Sequence, residues 1–293
     1  MEKKKSEKNG IRAFDLWVIP KLLIFVFLSS AASTPFRIFV EAVIYKKTGA
    51  PEFVTAGFLI YSFCAELVVG FGYLIFGCRL PVKNNIKRAF CYIMLILVSS
   101  YIPNVLAMAG GDGEIIDASL SAGIVVVDVI SYMLKGLILG LLMKKYTFVK
   151  AEEPGQIKGK RFLPACVING FAFSILNFAA DILAGLVDDS WRLCSLLKVS
   201  SESEISFYIV FSLFMFVAGF LLPLWNKYCL DEDASLCNAI LYALKLSVIM
   251  WLPNVLIMVF FGTPVFLTLL YGAEYVLIFI ICTLIYRLNS RIL

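Results

Sequence analysis

The chain has 293 residues, 61% of them hydrophobic and 16% charged, with a formal net charge of +5 and no histidine. Soluble domains run at about 45–50% apolar and about 25% charged because a globule needs a polar skin, so a soluble fold is excluded. Without histidine, His-ligated zinc, haem ligation and His-based triads are excluded as well.

Residues 1–12 are polar and basic, and a hydrophobic run follows from Phe14. That run is longer than the core of a signal peptide. Ala31-Ala32-Ser33 leads into more apolar chain and not into a cleavage site, so a retained first helix is expected. Further apolar runs of about 20 residues follow, the length that crosses a ~30 Å hydrocarbon layer at ~1.5 Å per residue. They do not alternate as barrel strands would, so helices are expected. The predicted spans are 14–43, 53–77, 89–110, 117–143, 162–187, 205–225, 236–261 and 264–286. Ser33-Thr34-Pro35 divides the long first segment, and Gly262-Thr263-Pro264 makes a tight turn before the last.

Charge orients this all-α polytopic arrangement. With the N-terminus inside, 18 of the 26 Lys and Arg residues fall in inner segments and 4 in outer loops. The positive-inside rule then places both termini in the cytoplasm. Scattered in this way, the basic residues read as orientation and lipid contact, not as a nucleic-acid surface.

The chain also repeats itself. Tyr101-Ile-Pro103-Asn104-Val-Leu-Ala-Met108 matches Trp251-Leu-Pro253-Asn254-Val-Leu-Ile-Met258 at an offset of 150. Ala89 pairs with Ala239 and Tyr92 with Tyr242 in the same register, and Pro20 corresponds to Pro164. The expected architecture is therefore about eight transmembrane helices as two parallel four-helix repeats, 1–150 and 151–293. Four spans per half return the chain to its starting side, so the two halves share one orientation.

Two sets of residues are candidates for function. Pro103 and Pro253 each remove a donor from a helix, freeing the carbonyls of Ser99 and Ile249; Asn104 and Asn254 stand beside them. Duplicated interruptions of this kind point to a transporter's central site, and a packed kink is the plain alternative. The second set is the charges within spans: Glu66, Asp128, Lys135, Lys245 and Glu274, with Asp181 and Arg37 besides. Charges at such depth mark a site or a pair, because each costs at least ~2.5–3.5 kcal/mol at the bilayer centre. Ser121, Asp128 and Lys135 recur every seven residues on one helix face. Seven residues is ~10.5 Å of rise, too far for Asp128 to pair with Lys135, so Glu66 and Lys245 are the expected partners.

No P-loop, nucleophile elbow, zincin or dinucleotide motif occurs. The eight cysteines form no CxxC, and Cys64, Cys91, Cys166 and Cys282, inside spans, are expected as small buried hydrophobes. No cofactor or metal is implied, and enzymatic chemistry is not favoured. The reading is a transporter, or a substrate-binding membrane subunit, for a small polar or charged solute, coupled to an ion or a proton. Its partners are the bilayer, the solute, and a second membrane subunit or a separate ATPase. The alternatives are a subunit whose polar spans pair with another protein, and a lipid-modifying enzyme using an intramembrane carboxylate.

Overall fold

The computed structural model describes residues 17–39, 56–101, 118–143, 159–196, 199–231, 234–260 and 263–292. These residues are helical with short connections, and no strand occurs among them. In chain order the long helices are α1 (Val18–Phe39), α2 (Ala56–Ile75), α3 (Asn85–Ile96), α4 (Ala118–Leu142), α5 (Gly159–Val187), α6 (Glu204–Cys229), α7 (Leu236–Phe260) and α8 (Val265–Ile292). Five helical stretches among the described residues are long and apolar enough to cross a membrane: Ile60–Arg79, Phe162–Val187, Glu204–Cys229, Leu236–Pro253 and Val265–Asn289. Val18–Ala32 and Val129–Leu142 are shorter apolar helices.

Local chemistry sets several helix boundaries. Asn84 caps α3, its Oδ1 accepting the amides of Ile86 at 2.9 Å and Lys87 at 3.2 Å, which satisfies two of the orphan donors of a helix start. α3 widens into a π turn over Leu97–Tyr101, which ends two positions before Pro103 in the sequence. α7 runs through Pro253 and stays helical to Phe260. Pro103 and Asn104 lie outside the described residues.

The polarity of the bundle is inverted relative to a soluble protein. Leu186 is 77% exposed and Phe27 70%, whereas Asn169 is fully buried and Asp181 is 3% exposed. An apolar exterior over a polar-containing interior is what a bilayer solvates, and the architecture is that of a helical integral membrane protein. The sequence expectation for the cysteines is half corrected: Cys166 and Cys282 are buried, but Cys64 and Cys91 face outward. Hydrocarbon solvates a thiol about as readily as a packed core does, so hydrophobicity alone does not choose a side.

α1 packs on α2 and α4, and α3 packs on α4; α5 packs on α6 and α8, and α7 packs on α8. The same three pairings thus occur twice. Every buried position from Ala89 to Ser100 has a buried counterpart 150 residues on, and no other position in 239–250 is buried. Between the two sets, α2 packs on α7 while α6 packs on the π turn of α3. Two hydrogen bonds there join residues 150 apart: the Ser100 hydroxyl donates to the Met250 carbonyl, and Arg79 Nη1 donates to the Cys229 carbonyl at 2.7 Å. Aromatic contacts also cross between the two sets, with Phe76 edge-on to Tyr242 at 5.6 Å and Tyr92 edge-on to Trp225 at 5.8 Å. Gly72 permits the close approach of α2 to α7, because a Cβ there would lie 2.2 Å from Tyr92 Oη and 2.5 Å from Ile249 Cγ2.

Candidate functional site

Glu66 sits midway along α2, and Lys135 sits seven residues before the C-terminal end of α4. Helical side chains tilt toward the N-terminus, so Lys135 reaches back from near the helix end toward the middle of the bundle. There its Nζ lies 2.5 Å from Glu66 Oε1, with side-chain exposures of 12% and 6%. The ammonium also lies 4.5 Å from the centre of the Tyr132 ring, which adds a cation–π contact. Glu66 Oε2 is buried and has no hydrogen-bond partner among the described residues. A buried carboxylate normally uses both oxygens, and leaving one unmet costs free energy.

The pair lines a small cleft. Tyr61, Ser62 and Val69 contribute from α2, Ser100 and Tyr101 from the π turn, Tyr132 from α4, and Ile249, Met250 and Pro253 from α7. The cleft is therefore walled by both halves of the chain. Tyr61 closes one side by donating to the Pro253 carbonyl at 2.7 Å. About half of the lining residues are apolar, and Ser62, Glu66, Ser100, Lys135 and three tyrosines bring polar groups to it.

Of the other sequence candidates, Lys245 and Glu274 do not join this cleft. Asp128 lies on α4 and Asn254 on α7, but their side chains, like that of Arg37, fall outside the described residues, as Asn104 does altogether. Lys245 is exposed on the outer side of α7. Glu274 is half-buried on α8, within electrostatic range of Asp181 and away from the lining of the cleft. Of the expected partners for Lys135, Glu66 meets it.

A second polar network escapes a sequence reading. Asp181, two turns from the end of α5, accepts the Leu193 amide on Oδ1 and the Tyr208 hydroxyl on Oδ2. Arg192 donates to Tyr208 Oη at 2.8 Å and pairs with Glu204, while Asp189 lies 3.4 Å from its Nη1. Tyr271 of α8 donates to the Trp191 carbonyl at 2.7 Å. The connector 188–196 is thereby stapled across the ends of α5, α6 and α8. The bond to Tyr208 is the main reason that the Arg192 guanidinium is held above its ordinary range. Asp188, in the same connector, is held below the usual carboxylate range by the Ser190 hydroxyl first and the Ser190 amide second. The one sequence signal for this network was Asp181 itself, a charge near the end of an apolar run. Among the described residues no group of three carboxylates or thiols is arranged to hold a metal ion.

No family model matches the chain, and no curated protein and no solved structure matches it.

Proposed function

We propose that this chain is a membrane transporter, or the solute-binding membrane subunit of one, for a small polar or charged solute. One observation carries the reading: a buried Glu66–Lys135 ion pair, with one carboxylate oxygen unmet, lines a cleft walled by both halves of the chain. Polar groups are kept at such depth where they serve a solute or ion path. In this reading the chain has eight spans in two parallel repeats, 1–150 and 151–293, with both termini cytoplasmic. The recurring helix pairings, the matched burial of α3 and α7, and the contacts between residues 150 apart support it. Contacts between equivalent residues occur on a twofold axis. Motion of one half against the other would open the cleft to alternate sides, which is how paired repeats work in transporters. Any ATP drive comes from a separate partner, because the chain carries no nucleotide motif.

Water access to the cleft tests the reading. In protein whose exposed cysteines Cys64, Cys91 and Cys237 are replaced by Ala, Ser62→Cys should react with a membrane-impermeant methanethiosulfonate. Leu213→Cys, on the 59% exposed outer face of α6, should not. Equal, negligible labelling at both would make Glu66–Lys135 a dry helix staple and overturn the proposal.

Lys245 favours a second reading. It is exposed nine residues into α7, ~13.5 Å along the helix, on a face with Leu241, Leu244 and Val248. A partner helix carrying a carboxylate would neutralise it. Lys245→Leu should then abolish co-purification of a second membrane protein while leaving the chain folded.

A further inference from the structure

We infer that the solute in the Glu66–Lys135 cleft is a small zwitterion, an amino acid with an apolar side chain. The inference deepens the transport reading and rests on it. The argument starts from hydrogen-bond capacity. An ammonium has three donors, and Lys135 spends one on Glu66 Oε1. Its remaining donors suit a carboxylate. Glu66 lines the cleft, and its Oε2 is buried with no partner among the described residues, so it suits a donor. A ligand bearing both an ammonium and a carboxylate answers the two demands at once.

Charge balance points the same way. The resident pair is neutral as a unit. A simple cation binding to Glu66 Oε2 would leave one net positive charge at mid-membrane depth, and a simple anion on Lys135 one net negative charge. A zwitterion leaves the sum at zero. On insertion scales one uncompensated charge at the bilayer centre corresponds to about a 100-fold loss of affinity. The rest of the wall sets the body of the ligand. Val69, Ile96, Ile249 and Pro253 are apolar, and Tyr101 packs 5.1 Å from Tyr132 to give an aromatic side. Those surfaces suit an apolar side chain; the hydroxyls of Tyr61 and Ser100, also in the wall, already donate to the carbonyls of Pro253 and Met250.

The chemistry is confined to one half of the chain. The residues 150 positions after Glu66 and Lys135 are Phe216 and Ile285. Phe216 packs edge-on to Phe171 at 5.0 Å, in a wholly apolar contact. The expected stoichiometry is therefore one solute per chain.

The test uses full-length protein in nanodiscs and three probes of one size class, read by calorimetry. L-leucine is the zwitterion, L-leucine methyl ester the cation and N-acetyl-L-leucine the anion. Saturable binding of L-leucine at one per chain is expected, with both single-charge analogues about 100-fold weaker. Glu66→Gln should abolish binding. The double variant Glu66→Gln, Lys135→Met, which carries no unpaired charge and so keeps the fold, should abolish it too. Failure of L-leucine to bind, equal binding of the ester or the N-acetyl analogue, or wild-type binding by the folded double variant would each overturn the proposal. Labelling of Ser62→Cys separates the two levels. A labelled cleft that ignores L-leucine refutes the zwitterion and leaves a solute cleft, whereas an unlabelled cleft refutes both.

Discussion

Lys135→Met tests the ion pair most directly. It leaves Glu66, 5% exposed, without its counter-charge. At the observed 2.5 Å separation the gross attraction at an effective dielectric of about 20 is ~7 kcal/mol. Desolvation of the two ions offsets most of it, and breaking one side of such a buried pair costs about 3–5 kcal/mol. Glu66→Gln should cost less. The stranded Lys135 is 12% exposed at its side chain, lies over Tyr132 and is seven residues from a helix end, so its ammonium can move toward the interface. The double variant Glu66→Gln, Lys135→Met should be close to wild type, because no charge remains to be compensated. The cycle therefore predicts a coupling of at least about 3 kcal/mol, more than about 100-fold in the folding equilibrium. Steric trapping of the four proteins in bicelles measures it. Additive single effects, with coupling below ~0.5 kcal/mol, would refute the claim that these two groups hold each other.

Three further outcomes follow from other parts of the molecule. In protein lacking its exposed cysteines, Ser190→Cys should be labelled from outside intact cells by an impermeant maleimide and Lys83→Cys only after lysis, as the charge distribution requires; the reverse pattern would invert the topology. Gly219→Ala should lower stability by about 1–3 kcal/mol, because the new methyl would lie 2.3 Å from Phe173 Cβ and 2.7 Å from the Asn169 carbonyl, forcing α5 and α6 apart; unfolding in mixed micelles measures this. Asp188 titrates lower in the folded protein than its unfolded value of about 3.9, so its bonds to Ser190 are complete above that pH and are lost as pH falls through the folded value. Chemical-shift titration should show the low value in wild type and a return toward 3.9 in Ser190→Ala.

Hydrophobic runs made the helices legible, and one physical rule made the ion pair legible: a charge inside an apolar run needs a partner. Glu66 and Lys135 are far apart in sequence, yet each is hard to satisfy alone, and they meet. The connector 188–196 gave no such warning. Its Asp, Ser and Arg residues read as a solvated loop, and Tyr208 reads like any tyrosine near a membrane surface, so the Asp181–Tyr208–Arg192 chain emerges from the structure alone. The outward face of Cys64 and Cys91 escaped for a different reason. In water a helix announces its buried side by hydrophobicity, but in a bilayer both sides are apolar. Only polar and small residues still carry that information. On α2, Ser62, Glu66 and Gly72 lie on the packed side, while Phe63, Phe71 and Ile75 are at least 40% exposed.

The proposed duplication is traced more closely at some positions than at others. Residues near the contact between halves meet their own counterparts, as Ser100 meets Met250 and Arg79 meets the Cys229 carbonyl. Each side of that contact packs directly against the other, so a change at either position is restricted, and α3 and α7 share the same buried positions. Residues off that contact are free to diverge, because bilayer and bundle interior alike accept almost any apolar side chain. Divergence into charge is the exception, since it must bring a partner with it. In the proposed register Phe216 stands at the position of Glu66 and Ile285 at that of Lys135, so the two charges differ from their counterparts together. On the proposed reading, a scaffold held by such contacts carries its chemistry where the two halves differ.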